Sequence, residues 1–158
     1  MAAPSATTRV APNGVKLKNG FRALITFARD TNVAMWEIAV TPRGLAGGDA
    51  IDTTTQHNTR RRTKAPQGLV EDQEASFTFA YDPKIKSEIE QLVNQETTIT
   101  ERFPDGSTDA YYGYLMSVEF DALEQGTMPT GTATIQPTAW DEANDVEADP
   151  TFVEVTGT

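Results

Sequence analysis

A chain of 158 residues with a net charge of −10 has the size of one domain, and its negative balance speaks against tight nucleic-acid binding, because phosphates are repelled. It contains no cysteine, which removes disulfide scaffolds, thiolate catalysis and cysteine-ligated zinc. No apolar run approaches the ~20 residues that cross a bilayer, so membrane insertion is not expected; nor does the polar start, residues 1–15, carry the hydrophobic segment of a secretory signal.

In chain order, residues 1–20 are rich in Ala, Thr, Pro, Asn and Lys and read as an N-terminal arm. Residues 21–28 (FRALITFA) are strand-like. In residues 33–40 (VAMWEIAV) Ala34, Trp36, Ile38 and Val40 alternate with Val33, Met35, Glu37 and Ala39, and the even set is expected to face a core. Residues 41–69 hold Pro42, Gly44, Gly47, Gly48 and the basic run Arg60, Arg61, Arg62, Lys64, with no sustained period beyond a short β-segment at 51–55. A connection of that length is functional more often than idle, and its expected use is contact with a neighbouring subunit.

Residues 74–81 (EASFTFAY) form the cleanest strand, with Ala75, Phe77, Phe79 and Tyr81 on one face and Ser76 and Thr78 on the other. Asp82-Pro83 then reads as an N-cap and first helical residue, opening a helix over 83–94 with Ile85, Ile89, Leu92 and Val93 on one stripe. Residues 97–103 and 109–121 are a hairpin pair around Pro104-Asp105-Gly106-Ser107. In the second strand Ala110, Tyr112, Tyr114, Met116, Val118 and Phe120 share one face, and Tyr111, Gly113, Leu115, Ser117, Glu119 and Asp121 the other. Residues 132–138 make a last strand. Residues 139–158, with six acidic residues and no basic one, read as an acidic tail that stays poorly ordered without a partner. Strands, one helix and leftover edges imply a mainly β, antiparallel sandwich or open barrel over 21–138, with one flanking helix and a long inter-strand loop.

Charge is divided along the chain. Residues 1–70 carry ten Lys/Arg and four Asp/Glu, a net +6, and residues 71–158 carry three and nineteen, a net −16. A bipolar subunit can stack head to tail, although a basic loop and an acidic tail that are merely solvated give the same count. The Arg60–Arg62 cluster lacks the interleaved aromatics of a nucleic-acid patch; contact with acidic surface on a neighbouring copy, or plain solvation, accounts for it better.

Chemistry is thin. His57 is the one histidine, without a second ligand at metal spacing. Ser76, Ser87, Ser107 and Ser117 lack an activating turn. The acidic tail lacks calcium-loop spacing, and Gly47-Gly48 is followed by no Gly-Lys-Ser/Thr. No catalytic residue, cofactor or metal ligand is expected, so the chain reads as a non-enzymatic assembly subunit.

The segment Gly47-Gly48-Asp49-Ala50-Ile51-Asp52-Thr53-Thr54-Thr55, followed by Ser76-Phe77-Thr78-Phe79-Ala80-Tyr81-Asp82-Pro83, resembles the major tail tube proteins of long flexible-tailed bacteriophages. The stretch 112–121 and the string Leu123-Glu124-Gln125-Gly126-Thr127-Met128-Pro129-Thr130-Gly131-Thr132-Ala133-Thr134-Ile135-Gln136-Pro137-Thr138 resemble them too. The resemblance implies a β-sandwich with a helix, hexameric rings stacked into a virion tail tube, and DNA as transiting cargo. Implied partners are a tape measure protein, a tail terminator and tail-tip proteins, with synthesis in the host cytoplasm. A type VI secretion-like tube, a tail terminator or an isolated β-sandwich binding module are the alternatives. On this reading Asp49, Asp52, Arg60, Arg61, Arg62 and Lys64 contact neighbouring subunits, and Ser76, Thr78, Ser117 and Glu119 face the lumen.

Overall fold

A computed structural model of the chain describes residues 23–30 and 35–154. The arm at residues 1–20, the core role given to Ala34 and the side chain of Ile85 lie outside the described residues. The elements are β1 (Leu24–Phe27), β2 (Trp36–Thr41), the short β3 (Leu45–Ala46), β4 (Ile51–Asp52), β5 (Lys64–Ala65) and β6 (Glu71–Asp72), then β7 (Ala75–Ala80), α1 (Pro83–Gln91), β8 (Thr97–Arg102), β9 (Thr108–Phe120) and β10 (Thr130–Pro137), and the short β11 (Trp140–Asp141), β12 (Val146–Glu147) and β13 (Thr151–Val153).

Period-two alternation decides the architecture. Ala75, Phe77 and Phe79 of β7, Ile99 of β8, and Ala133 and Ile135 of β10 are at most 1% exposed, while their chain neighbours are half-buried or exposed. These strands join one antiparallel sheet in the order β1-β8-β9-β10-β7-β2, with β13 added beside the start of β9. The sheet rolls until its ends meet: the Ile25 N–H of β1 donates to Glu37 Oε1 of β2 at 3.2 Å. Rolling a twisted sheet in this way leaves little open edge. The fold is therefore mainly β, an antiparallel open barrel with one flanking helix.

Helix α1 begins as its sequence dictates. The Asp82 carboxylate accepts from the Lys84 N–H at 2.9 Å and Pro83 occupies the first turn, satisfying a free donor where proline loses none. Ile89 on its inward side and Leu92 at its C-cap close the core. The helix ends at Gln91 rather than at 94; beyond it Val93 bridges to Leu115 and Asn94 takes φ +59°. The β8–β9 turn is equally local in origin. Gly106 has φ +92°, and Phe103 and Ser107 are bonded across it, the Phe103 N–H to Ser107 O at 2.8 Å. Gly131 faces inward between Phe79 and Phe120, whose rings meet edge to face at 6.1 Å. A Cβ there would sit 2.8 Å from Phe79 Cζ, so this position takes glycine for lack of space.

Three further expectations are corrected. Trp36 and Ile38 do not face the core: they are 69% and 52% exposed. A β-bulge at Ile38 is the reason, since Glu37 pairs with Phe79 and Ala39 with Thr78. Met35 and Glu37 point inward before it and Val40 after it, so the phase reverses. A second bulge, at Met116, breaks the even face of β9: Leu115 pairs with Ile135 and Ser117 with Thr134. Tyr111, Gly113 and Leu115 face in before that bulge, and Val118 and Phe120 after it. Residues 140–153 are not a trailing tail: β11 pairs with β12, and β13 pairs with β9 with Phe152 against Phe103 at 6.1 Å.

Candidate assembly surfaces

The long connection between β2 and β7 carries paired strands. Leu45 pairs with Asp72 and Ala46 with Glu71, then Ile51 with Ala65 and Asp52 with Lys64. The Thr53 N–H continues the second ladder to Thr63 O at 3.0 Å. The result is a β-arm rather than an unpaired loop. With water on both faces, its side chains need no apolar period, which is why none is present in the sequence. Leu45, Ile51, Leu69 and Val70 are exposed along it, in keeping with a surface that meets another protein.

The basic cluster sits at the arm's tip. The turn is fixed by Asn58, whose Oδ1 accepts from the Thr55 N–H at 2.8 Å and whose Nδ2 donates to Arg61 O at 3.2 Å. Arg60 and Arg61 are exposed there, and Arg62 approaches Asp52 only to 4.0 Å. The Asp52 carboxyl is held below its usual range by hydrogen bonds from the Thr54 hydroxyl and N–H. Lys64 lies on the same ladder, whereas Asp49 stands apart in the stretch between the two ladders, its carbonyl accepting from Gln67 Nε2 at 2.9 Å. The six residues thus occupy one arm, with the four cations at its distal end.

Ser76, Thr78, Ser117 and Glu119 share the face of the barrel wall that points away from the core. Thr132 lies opposite both Thr78 and Glu119, and Thr134 opposite both Ser76 and Ser117. Cross-strand partners project to the same side, so these side chains form one continuous patch of hydroxyls with a single carboxylate. Strands β2, β7, β9 and β10 contain no lysine or arginine. The same face is covered further along, where β11 and β12 fold over it: Asp141 accepts from Tyr112 Oη at 3.3 Å and from Asn144 Nδ2 at 2.6 Å. The Asn144 amide bond, foremost, keeps the Asp141 carboxyl below its usual range, and the carboxylate in turn pushes the Tyr112 phenol up.

One buried cluster escaped the sequence reading. Arg43, just past β2, pairs through Nη1 with Asp72 at 2.8 Å and through Nε and Nη2 with Asp109 at 2.8 and 3.2 Å; the Nε contact is an ion pair rather than an aligned hydrogen bond. The guanidinium lies 5.5 Å from the Tyr111 ring centre. Tyr111 Oη donates to Glu101 Oε1 at 2.7 Å, and the Arg43 N–H reaches Glu101 Oε2 at 3.4 Å. Burial pushes the Glu101 carboxyl up despite the Tyr111 hydrogen bond, and burial with the Glu101 charge pushes the Tyr111 phenol far up. A signal was present: the Pro104-Asp105-Gly106 turn sets Glu101 opposite Asp109 at inward positions, and two facing carboxylates require a cation.

Among the described residues, no group of three His, Cys, Asp or Glu is arranged to hold a metal ion, and no helix is long and apolar enough to cross a membrane. His57 is exposed at the arm tip.

No protein-family model matches the chain, and no curated protein matches it. Solved structures do. A chain in the tail of an empty gene transfer agent particle, refined helically with C6 symmetry, superposes with a TM-score of 0.60 at 11% identity, over 87% of this chain and 100% of that one. A chain in the virion of the native gene transfer agent particle gives 0.59 at 13% identity, over 87% and 100%. One in the six-fold symmetrised baseplate of the anti-feeding prophage gives 0.55 at 8%, over 85% and 92%. The likeness is one of fold. At such identities the side chains differ almost throughout, so what is shared is the path of the strands.

Proposed function

We propose that the chain is a structural, non-enzymatic subunit of a bacteriophage tail tube, in which six copies form a ring and stacked rings enclose a lumen that passes DNA. The carrying observation is the outward hydroxyl face of β7, β10 and β9. Its Ser76, Thr78, Thr132, Thr134 and Ser117 side chains are small and polar, it bears Glu119, and its strands hold no cation; Met116 of β9 and, on the adjoining β2, Trp36 and Ile38 are the exposed apolar residues beside them. Its strands offer phosphates no cation to pair with, which favours passage of DNA without arrest. On this reading Ser76, Thr78, Ser117 and Glu119 line the lumen, and the arm with Asp49, Asp52, Arg60, Arg61, Arg62 and Lys64 meets the adjoining subunits. The fold shared with a tail refined with C6 symmetry supports the six-fold arrangement. A tape measure protein inside the tube, a terminator and tail-tip proteins at its ends, and a place in the virion after synthesis in the host cytoplasm complete the proposal.

Negative-stain and cryo-electron microscopy of the purified protein, with and without a tail-tip complex, tests it. Six-fold rings or tubes with the Thr78–Thr132–Ser117 face inward are expected. Persistent monomers under both conditions, or that face on the outside of a tube, would overturn it. Within such tubes, Thr78→Lys with Thr132→Lys should leave assembly intact while slowing DNA release roughly tenfold, because six new pairs of cations face the phosphates. A single-ring role in a baseplate is the second reading, favoured by the likeness to the anti-feeding prophage baseplate chain; rings that never extend into tubes would select it.

A further inference from the structure

The arm leaves the barrel at one place, and that place is held by a buried cation. Arg43 lies on the outgoing side of the arm and Asp72 on the returning side, in β6; their side chains are 15% and 8% exposed. The same guanidinium grips Asp109 at the start of β9, so one side chain ties the returning strand to the barrel wall. The guanidinium carbon lies over the Tyr111 ring, 5.5 Å from its centre. Backbone pairing strengthens the root, with the Gln73 N–H donating to Gly44 O at 2.9 Å beside the β3–β6 ladder.

Further out, between the two ladders, the strands are joined by the Gln67 Nε2–Asp49 O bond at 2.9 Å. Gly47, Gly48 and Gly68 fall between the two ladders, Gly47 and Gly68 have open space around them, and Gly48 has φ +75°. The side-chain ties of Arg43 to Asp72 and Asp109 lie at the root.

We infer that Arg43 is a clamp that fixes the direction of the arm relative to the barrel by bridging Asp72 of the arm to Asp109 of the wall. Arginine suits the task because its planar fork can bind two carboxylates at once, whereas lysine offers one compact charge. The burial of the cluster makes its removal consequential, since a carboxylate left without its cation is costly there. Loss of Asp72 frees only the returning strand's side-chain tie, because the Arg43–Asp109 pair and the backbone pairing of the root remain.

The inference concerns the single subunit and stands whether or not the tail-tube reading holds. The chain has no cysteine, so two introduced cysteines can be spin-labelled cleanly. Leu69→Cys, 86% exposed just outside the arm root, and Gln91→Cys at the end of α1 report the arm-to-barrel distance by pulsed electron resonance. In the otherwise unchanged chain a single narrow distance distribution is expected. Asp72→Asn should broaden it at least twofold while thermal unfolding of the barrel stays cooperative, and Arg43→Met should broaden it further. Distributions of unchanged width in a folded Asp72→Asn chain would overturn the clamp. Asp72→Asn decides the test; an Asp72→Asn chain that failed to fold would also overturn the clamp, because the pair would then belong to the global core.

Discussion

Glu101 is a carboxyl group placed where an ion is poorly solvated. It faces inward, 1% exposed, with Tyr111 as its hydrogen-bond donor, and burial outweighs that bond, raising its pKa from the ordinary 4.5. An acid whose pKa is higher folded than unfolded favours the folded state fully below the unfolded value and loses that contribution as pH rises through the folded one. Each unit of displacement corresponds to about 1.4 kcal/mol. The expected outcome is that Glu101→Gln, whose amide oxygen still accepts from Tyr111, gains urea resistance relative to the parent chain as pH rises from about 4.5 toward neutrality. Two midpoint curves running parallel over that interval would show that Glu101 does not titrate there. Arg43 belongs to the same scale: as the cation of the cluster it opposes the rise in Glu101, which Asp109 adds to.

Elements were legible where a local rule sets them. Asp82-Pro83 gave the helix start, Pro104-Asp105-Gly106 gave the hairpin, and the alternation of β7 and β10 gave the barrel wall. The misplacement of Trp36 has a specific cause: one residue inserted at Ile38 reverses the phase of β2, and Met116 does the same in β9. A bulge is set by the partner strand, and the chain alone does not announce it. The arm was hidden for the opposite reason, since strands with water on both faces need no pattern. The fold-over hairpin β11–β12 looked like a tail because polar bonds hold it instead of an apolar face. Its keystone is Asp141, which accepts from the Ala143 and Asn144 N–H groups and from Tyr112. The Asp141 carboxyl has a lowered pKa, so its contribution is present above the ordinary 3.8 and is lost as pH falls through the lower folded value. Acidification should therefore release this hairpin. Hydrogen exchange at the Ala148 amide, bonded to Ala139 O at 3.0 Å, is the probe. Asp141→Ala should expose that amide at neutral pH while the β7 amides stay protected; equal protection in both chains would show that the hairpin stands without its carboxylate.

At the scale of the molecule, charge and shape coincide. The cations Arg60, Arg61, Arg62 and Lys64 project on an arm, away from four strands that contain none, and the residues from 71 onward carry a net −16. In the proposed tube, a copy placed ahead of or behind another would bring unlike potentials together, with the arm setting the direction of that attraction. Replacing Arg60, Arg61 and Arg62 by Glu changes the net charge from −10 to −16, two units at each of three sites. All three are exposed and Arg62 is barely paired, so unfolding should shift by no more than about 0.5 kcal/mol. Assembly should suffer far more, because each tip would now meet acidic surface with like charge. The deficit should shrink as salt is added, since the Debye length falls from about 10 Å at 0.1 M to about 3 Å at 1 M. Sedimentation of assembled material across that salt range measures it. A variant that assembles as well as its parent at low salt would mean that the arm's cations are only solvated, and that the apolar residues Leu45, Ile51, Leu69 and Val70 are what the arm presents to its neighbour.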